Sequence, residues 1–324
     1  MVPIEKNITG TVHRAGMLDG ARIAGDIKQE VMAEVELLKE HGINPCLAAV
    51  RVGDDPASEV YVRNKIKACE EVGIRSEQHA LSSATTESEL LELIHALNAR
   101  DDVDGILVQM PLPRGIDEAS ILEAVDPAKD VDGFHPLNVG KLALGRPAFV
   151  PCTPAGIIEL LKRSGITIAG ANACVIGRSQ IVGRPMAQLL LQHDATVTVC
   201  HSRTRDLAAV ARNADILIAA IGRPGLIGRE YIKPGAVVVD VGMNKISDAT
   251  SAKGLFGDAA ERRLAIMAKR GYTLVGDVHP AEADEVAAWR TPVPGGVGLL
   301  TVAMLMQNTV KAARTRRAAS PSSR

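Results

Sequence analysis

The segment Cys174-Val-Ile-Gly-Arg-Ser-Gln-Ile-Val-Gly183 joins a short apolar run to a glycine-bounded turn, and a helical face with Met186 and Leu189 follows it. Gly177 permits a tight turn after a strand, and Gly183 permits close packing of the helix on that strand. Free amide groups at the start of such a helix attract phosphate. The spacing G-x-S-x-x-x-G differs from the common G-x-G-x-x-G, so the segment alone indicates either a dinucleotide phosphate site or a turn without function.

The next predicted strand, residues 196–200, favours the cofactor interpretation. In dinucleotide-binding folds an Asp or Glu about 20 residues after the glycine turn binds the ribose hydroxyls. Here the strand leads into His201-Ser202-Arg203-Thr204, which offers cationic and hydroxyl groups and no acid. Such groups suit a 2′-phosphate. The sequence therefore predicts NADP rather than NAD, with Arg178 and Ser202 as the main ligands and Arg203 as a further one.

Strands and helices alternate on both sides of this segment. The predicted strands are 47–52, 74–81, 105–110, 173–176, 196–200, 216–220 and 236–241, and the predicted helices are 20–41, 58–72, 87–98, 117–125, 154–163, 182–193, 206–213 and 259–270. Continuous apolar strands that alternate with helices predict an α/β fold with parallel sheets covered on both faces. The stretch 145–154 is rich in proline and glycine and is the best candidate for a domain boundary. The first sixteen residues resemble a loose arm, and 315–324 resemble a disordered tail.

Composition excludes several classes of function. Among 324 residues, 37 basic and 38 acidic side chains nearly cancel, and only 2% of residues are aromatic, so we expect no nucleic-acid partner. No apolar run is long enough for a membrane helix, and the first residues lack the order of a signal peptide. Five widely spaced cysteines predict buried free thiols. We expect a cytoplasmic enzyme that needs no metal.

A second group of candidate residues lies in the first half of the chain. Asp55 and Pro56 are typical of a helix start, and they place Tyr61 and Lys65 one turn apart on the following helix. Ala68 and Val72 continue that helix face and make it partly apolar. Lys65 is therefore either a surface lysine with a buried stem or a tuned proton-transfer group, and the sequence leaves the two nearly even.

Three further segments carry polar groups at positions where α/β folds bind ligands. Gln109 ends a buried strand, where its amide can be a ligand contact or only a cap. Asp130-Val-Asp132-Gly133 lies in a loop, where acids usually face water. Thr291-Pro-Val-Pro-Gly-Gly-Val-Gly298 is a constrained turn that is either a helix entry or a backbone surface for a flat heterocycle.

Seven segments occur in an order that resembles the bifunctional methylenetetrahydrofolate dehydrogenase/cyclohydrolase family. They are Tyr61-Val-Arg-Asn-Lys-Ile-Lys-Ala68, Gly105-Ile-Leu-Val-Gln-Met-Pro-Leu-Pro113, Lys129-Asp-Val-Asp-Gly-Phe134, Pro151-Cys-Thr-Pro154, Gly177-Arg-Ser-Gln-Ile-Val-Gly-Arg-Pro185, Val239-Asp-Val-Gly242 and Thr291-Pro-Val-Pro-Gly-Gly-Val-Gly298. The resemblance extends from about Leu18 to Thr309, which is nearly the whole chain.

The resemblance implies a homodimeric enzyme with two domains. Residues 1–152, together with the C-terminal helix and tail 299–324, would form a folate-binding catalytic domain, and residues 153–298 would form a Rossmann-like NADP-binding domain. The last helix would pack back on the first domain. Such enzymes oxidise 5,10-methylenetetrahydrofolate with NADP and hydrolyse the methenyl product to 10-formyltetrahydrofolate.

The resemblance also implies residue roles. Lys65 would be the key catalytic residue, with Tyr61 packed on the folate, Gln109 orienting Lys65 and Asp132 anchoring the pterin. The remaining site residues follow from the matching motifs. The NADP contacts would be Gly177, Arg178, Ser179 and Ser202, with Met243 near the nicotinamide, and the substrate loop would contain Pro294, Gly295 and Gly296.

The sequence departs from the family pattern in the second half of the chain. Leu299-Leu300 replaces Pro-Met, and Gly276-Asp-Val-His-Pro280 replaces Gly-Asp-Val-Asp-Phe. The chain between Asn244 and Gly276 is longer than the family norm, and we expect a surface helix there rather than core. These changes keep two alternatives open: a cyclohydrolase with weak or lost dehydrogenase activity, and a regulatory protein that binds folate and nucleotide without turnover.

Overall fold

The computed structural model describes residues 14–319. The strands are β1 (Gly16–Met17), β2 (Cys46–Val52), β3 (Arg75–Leu81), β4 (Gly105–Val108), β5 (Asn172–Ile176), β6 (Thr196–Cys200), β7 (Ile216–Ala219), β8 (Val237–Asp240), β9 (Asn244–Ile246), β10 (Thr273–Val275) and β11 (Trp289–Arg290). The helices are α1 (Gly20–Glu40), α2 (Pro56–Val72), α3 (Glu87–Ala99), α4 (Glu118–Ala124), α5 (Pro136–Ala143), α6 (Cys152–Arg163), α7 (Gly183–Gln192), α8 (Leu207–Ala211), α9 (Ala249–Phe256), α10 (Ala260–Arg270), α11 (Pro280–Val286) and α12 (Val297–Ala319).

Two parallel sheets form the framework. The first has the order β3-β2-β4, the second has the order β1-β11-β8-β7-β5-β6, and β9 and β10 form a separate antiparallel pair. Every residue of β4, β7 and β8 is buried, as expected for strands with helices on both faces. The predicted two-domain α/β architecture is confirmed.

Local sequence signals account for most helix starts. Asp55 accepts a hydrogen bond from the Ser58 amide, and Pro56 occupies the first helical position of α2. Thr86 and Glu89 form a reciprocal capping box at the start of α3. These caps satisfy amide groups that have no partner inside the helix.

The last helix, α12, returns to the first half of the chain. Arg316 and Arg317 form ion pairs with Asp104, which is fully buried behind the first sheet (N–O distances 2.9 and 3.2 Å). Asn308 donates to the carbonyl of Val131 at 2.8 Å. The predicted packing of this helix is confirmed, and residues 315–319 are helical rather than a disordered tail because the two arginines hold the last turn.

The N-terminal arm is a second correction. The amides of Ala15 and Gly16 donate to the carbonyls of Asp284 and Ala288 at 3.0 and 2.8 Å, so these residues join the second sheet instead of lying loose. Residues 1–13 of the predicted arm and 320–324 of the predicted tail lie outside the described residues.

The long segment between Asn244 and Gly276 forms a small unit of its own. Phe256 of α9 and Met267 of α10 pack with Ile246 and Val275 of the β9–β10 pair, apart from the main cores of the sheets. The expected helix is therefore present, and it shields a small satellite core. All five cysteines are buried free thiols, as predicted. No helix within residues 14–319 is both long and apolar enough to span a membrane.

Candidate active site

Helix α2 and the end of β4 bring the first two candidate groups together. The Nζ atom of Lys65 donates to Oε1 of Gln109 at 3.1 Å. The Gln109 amide is itself oriented, because its Nε2 atom donates to the carbonyl of Met110 at 2.7 Å. Lys65 is half-buried above the buried residues Ala68 and Val72, so its amine is held at the edge of the sheet rather than free in solvent.

Asp132 lies on the loop that follows Lys129 and faces the same region. Burial raises the pKa of its carboxyl to about 6, and the positive charge of Lys65 opposes part of that rise. The loop is fixed from behind, since Asn308 donates to the carbonyls of Val131 and Val150 and approaches the sulfur of Cys152. Asp132 is thus a half-buried carboxyl on a rigid support.

The neighbouring acid Asp130 does not face water as the sequence suggested. It is buried, and its oxygens accept hydrogen bonds from the amides of Phe134 and His135 and from the side chain of Asn138. Asp130 therefore shapes the start of α5, a helix that the sequence did not predict, and it leaves Asp132 as the acid available to a ligand.

Tyr61 connects this region to the second half of the chain. Its hydroxyl donates to the sulfur of Met243 at 3.4 Å, and the two side chains are 45% and 41% exposed. A Cβ atom built on Gly298 would lie 3.0 Å from the methyl carbon of Met243, so the start of α12 adjoins the same point. Tyr61, Met243 and the segment before α12 thus border one cleft.

Two hydrogen bonds, at Thr291 and at Val293, hold the segment 291–296 in place. The amide of Asp240 donates to Oγ1 of Thr291 at 2.8 Å, and a guanidinium nitrogen of Arg263 donates to the carbonyl of Val293 at 2.6 Å. Gly295 has φ +104°, a conformation that side chains disfavour. The candidate residues Pro294, Gly295 and Gly296 therefore form a constrained loop, in which Pro294 is exposed, Gly295 is half-buried and Gly296 is buried.

At the glycine turn that follows β5, three backbone segments approach one another closely, at Gly177, Gly183 and Ala220. Gly177 has φ +135°, and a Cβ built there would lie 2.2 Å from the carbonyl oxygen of Ala220. A Cβ on Gly183 would lie 2.2 Å from the oxygen of Gly177. Ser179 fixes the turn before α7, since its Oγ accepts hydrogen bonds from the amides of Val182 and Gly183. Both glycines are thus required sterically.

Cationic and hydroxyl groups surround this turn. Arg178, Ser202 and Arg203 are exposed, and the turn after β6 is fixed because Oγ1 of Thr204 accepts from the amide of His201. The Gly177 amide donates to the carbonyl of Cys200, which places the two turns side by side. This arrangement fits the diphosphate and 2′-phosphate of NADP at the carboxyl edge of the sheet.

Two buried acids in the second half of the chain have a structural role that the sequence did not predict. Asp277 is fully buried, and its carboxylate accepts hydrogen bonds from the amides of Ile221, Gly222 and Arg223 and from the side chain of Asn244. Asp240 is buried likewise and accepts from three amides. Both acids lie in segments that the sequence comparison with the family pattern already included, but neither segment identifies hydrogen-bond partners distant in the chain.

Comparisons with known proteins agree with this geometry. The model of the catalytic domain of tetrahydrofolate dehydrogenase/cyclohydrolase matches residues 18–132, and the model of the NAD(P)-binding domain of the same family matches residues 151–317. The bifunctional protein FolD of Koribacter versatilis is 59% identical over 303 residues, which cover 94% of this chain and 98% of that protein. The bifunctional protein FolD of Acetivibrio thermocellus is 53% identical and covers 93% of this chain and 97% of its own length.

Solved structures give the same result. The bifunctional FolD methylenetetrahydrofolate dehydrogenase/cyclohydrolase of Campylobacter jejuni is 46% identical, with a TM-score of 0.85 over 93% of this chain and 99% of that one. The methylenetetrahydrofolate dehydrogenase-cyclohydrolase of Trypanosoma brucei, solved with NADP and an inhibitor, is 39% identical, with a TM-score of 0.84 over 95% of this chain and 99% of that one.

Proposed function

This chain belongs to the tetrahydrofolate dehydrogenase/cyclohydrolase family, and from that membership we propose that it carries out both reactions in one cleft. It oxidises 5,10-methylenetetrahydrofolate to the methenyl form with NADP and hydrolyses the methenyl form to 10-formyltetrahydrofolate. The observation that carries the proposal is that α2 holds Lys65 against Gln109 and, one turn away, holds Tyr61 against Met243 of the second half of the chain.

Asp132 and Tyr61 would hold the folate. An ionised Asp132 can accept hydrogen bonds from the amino and ring N–H groups of a pterin, and the Tyr61 ring offers an apolar face for stacking. The constrained loop of Pro294, Gly295 and Gly296 would complete the pocket. These contacts leave the one-carbon bridge of the substrate next to Lys65.

In the oxidation, the protein contributes orientation and NADP supplies the hydride acceptor. Gly177, Arg178, Ser179 and Ser202 would bind the phosphates, and Met243 would limit where the nicotinamide can lie. The methylene carbon loses a hydride, and the resulting cation is shared by the two nitrogens of the substrate.

In the hydrolysis, neutral Lys65 would accept a proton from a water molecule as its oxygen attacks the methenyl carbon. Gln109 accepts one N–H of the amine and so directs the nitrogen lone pair toward the cleft. The bond from that carbon to one ring nitrogen then breaks, and the ammonium of Lys65 returns the proton to the departing nitrogen. The remaining proton of the former water is lost to solvent as the carbonyl forms, so the methenyl cation and one water give neutral 10-formyltetrahydrofolate and one proton.

The β6 edge of the second sheet is the proposed dimer surface. Strand β6 is an edge of the six-stranded sheet, and its Val199 is exposed. Helix α7 contacts β6, and α5 contacts α7; these two helices and the turns beside them carry further exposed apolar side chains, namely Val139, Leu144, Ile181 and Leu191. An unpaired strand edge with an apolar border is typical of a surface that a second copy covers. Light scattering on the wild type and on Val199→Lys tests this homodimer, because the variant should be monomeric.

We also propose a division of the chain into two binding domains and a cytoplasmic location. Residues 1–152 with 299–324 would bind folate, and residues 153–298 would bind NADP, although β1 pairs with the sheet of the second unit. A cytoplasmic location fits the expected use of NADP. An assay that follows methenyl formation, NADPH formation and methenyl hydrolysis on the purified protein tests the function itself.

A further inference from the structure

A cavity of about 650 Å³ lies between α10, α11 and the carboxyl ends of β8 and β11, away from Lys65. Phe256, Ile266 and Val278 form its apolar walls, and several arginines line the rest. Tyr61, Lys65, Gln109 and Asp132 are not among its lining residues, nor is the glycine turn at 177–183. Its size is in the ordinary range for small-molecule sites.

Four arginines (Arg14, Arg262, Arg263 and Arg290) and four acids (Asp240, Asp258, Asp284 and Glu285) line the cavity, so their formal charges cancel, but they are not evenly paired. Arg290 forms a two-point ion pair with Asp284, and the lining acid Glu285 pairs with Arg229 outside the cavity. Arg262 and Arg263, in contrast, have no carboxylate partner within residues 14–319. The remaining lining acids are Asp258, which is exposed, and Asp240, whose carboxylate accepts three backbone N–H groups.

Arg263 is the half-buried centre of this positive region. Its guanidinium lies over the Phe256 ring, 4.5 Å from the centroid. Burial lowers its pKa, and the charges of Arg262 and Arg290 lower it further. When an anion binds between two like charges at a partly desolvated position, the repulsion between those charges decreases.

We propose that this cavity is a second binding site, for a small organic anion whose phosphate or carboxylate group lies between Arg262 and Arg263 and whose apolar part contacts Phe256 and Ile266. Phosphate esters and dicarboxylates share this chemistry. Both provide paired oxygens for the planar guanidinium groups.

The site also contacts the loop that precedes α12. Arg263 donates to the carbonyl of Val293, next to the candidate substrate residue Pro294, and Pro294 itself lines the cavity. An anion that binds the Arg263 guanidinium would compete with the Val293 carbonyl for its N–H groups. It would therefore change how rigidly the loop is held. The expected consequence, which rests on the proposed function, is a changed KM for the folate substrate at unchanged KM for NADP.

Titration calorimetry with pyrophosphate and with glutarate tests the site on the NADP-saturated enzyme, so that the cofactor turn is already occupied. The fluorescence of Trp289, the only tryptophan, reports the same event because it adjoins Arg290. We expect saturable binding of at least one probe, weakened about tenfold in Arg262→Gln and lost in Arg262→Gln/Arg263→Gln. Arg270→Gln, at the exposed end of α10, should bind like the wild type.

The single variant Arg262→Gln is not expected to disturb the fold, because Arg262 is exposed and makes no hydrogen bond or ion pair within the described chain. Weaker binding by this variant therefore reports on the site itself. Absence of saturable binding to the wild type, or equal affinity in the double variant with unchanged circular dichroism, overturns the site. Bound probe with unchanged folate KM overturns the link to the loop. Methenyl hydrolysis measured without probe tests the proposed function separately.

Discussion

The hydroxyl of Tyr61 donates to the sulfur of Met243 across the cleft, although the two residues are 182 positions apart in the chain. The contact joins a ring suited to stacking on folate with a side chain at the end of β8, where the second sheet would receive the nicotinamide. A substrate carbon held near Tyr61 is therefore close to a hydride acceptor and to Lys65 at the same time. Tyr61→Phe should keep both activities, because it loses only this weak hydrogen bond. Tyr61→Ala should raise the folate KM several-fold, and equal KM values for the two variants would contradict a stacking role.

Lys65→Met is expected to abolish methenyl hydrolysis and to leave the fold intact. Methionine keeps the apolar stem over Ala68 but removes the nitrogen that carries the proton. Loss of general base catalysis typically costs a factor of about 10² to 10⁴. Decay of methenyl absorbance gives the rate, and Lys67→Met, an exposed position on the same helix, is the control. Near-wild-type hydrolysis by Lys65→Met would show that another group moves the proton.

Gln109→Leu should lower kcat for hydrolysis by about tenfold and change the folate KM little. The variant removes the hydrogen bond that directs the Lys65 amine, worth about 1–1.5 kcal/mol, and 1.4 kcal/mol corresponds to a tenfold rate. Steady-state kinetics against Gln78→Leu, an exposed position on β3, provides the comparison. A defect confined to KM would assign Gln109 to substrate binding instead.

Folate binding should depend on the ionisation of Asp132. Burial raises the pKa of this carboxyl to about 6, so the acceptor form that a pterin needs is lost as the pH falls through that value. The kcat/KM for the folate substrate should therefore rise up to about pH 6 and then level off. Asp132→Asn should have a lower kcat/KM without this inflection, whereas exposed Asp101→Asn should retain it. An unchanged profile in Asp132→Asn would assign the inflection to another group.

The amino-acid pattern predicted the parts of the fold that depend on near neighbours. Helix α2 follows from its cap at Asp55, and the buried strands around Gly177 follow from continuous apolar runs. Strands β1 and β11 are only two residues long and exist because β11 pairs with β8 and β1 pairs with β11, so no periodicity marks them. The same reason explains why Lys65 stayed ambiguous: its partner Gln109 is 44 positions away, and only the fold brings them together.

Cofactor preference should reside in the turn residues of the second sheet. Arg178→Ala combined with Ser202→Asp removes a cation and adds an acid near the expected 2′-phosphate. Two charge-assisted hydrogen bonds of roughly 1.5–3 kcal/mol each, partly screened by solvent, correspond to about ten- to a thousandfold. The KM for NADP should rise far more than the KM for NAD, whereas Arg212→Ala, exposed after α8, should alter neither. Equal changes in both would locate the preference elsewhere.

The segment 250–270 should be removable. Ile246 pairs directly with Thr273, so the ends of the excised segment are adjacent and a short Gly-Ser turn can join them. The excision deletes the satellite core and the Arg263–Val293 hydrogen bond, and we expect a soluble protein that binds folate with a moderately raised KM. Solubility and folate titration give the result. An insoluble product would show that α9 and α10 are needed for folding or for the dimer contact.

The most direct test of the account is a spectrophotometric assay of the wild-type protein with 5,10-methylenetetrahydrofolate, run with NADP and NAD side by side. One cleft that serves both reactions predicts NADPH formation followed by loss of the methenyl absorbance, with NADP strongly preferred. Methenyl hydrolysis without any NADPH formation would contradict the account and would leave a cyclohydrolase alone. Equal use of NAD would contradict the assignment of a 2′-phosphate site to Arg178 and Ser202.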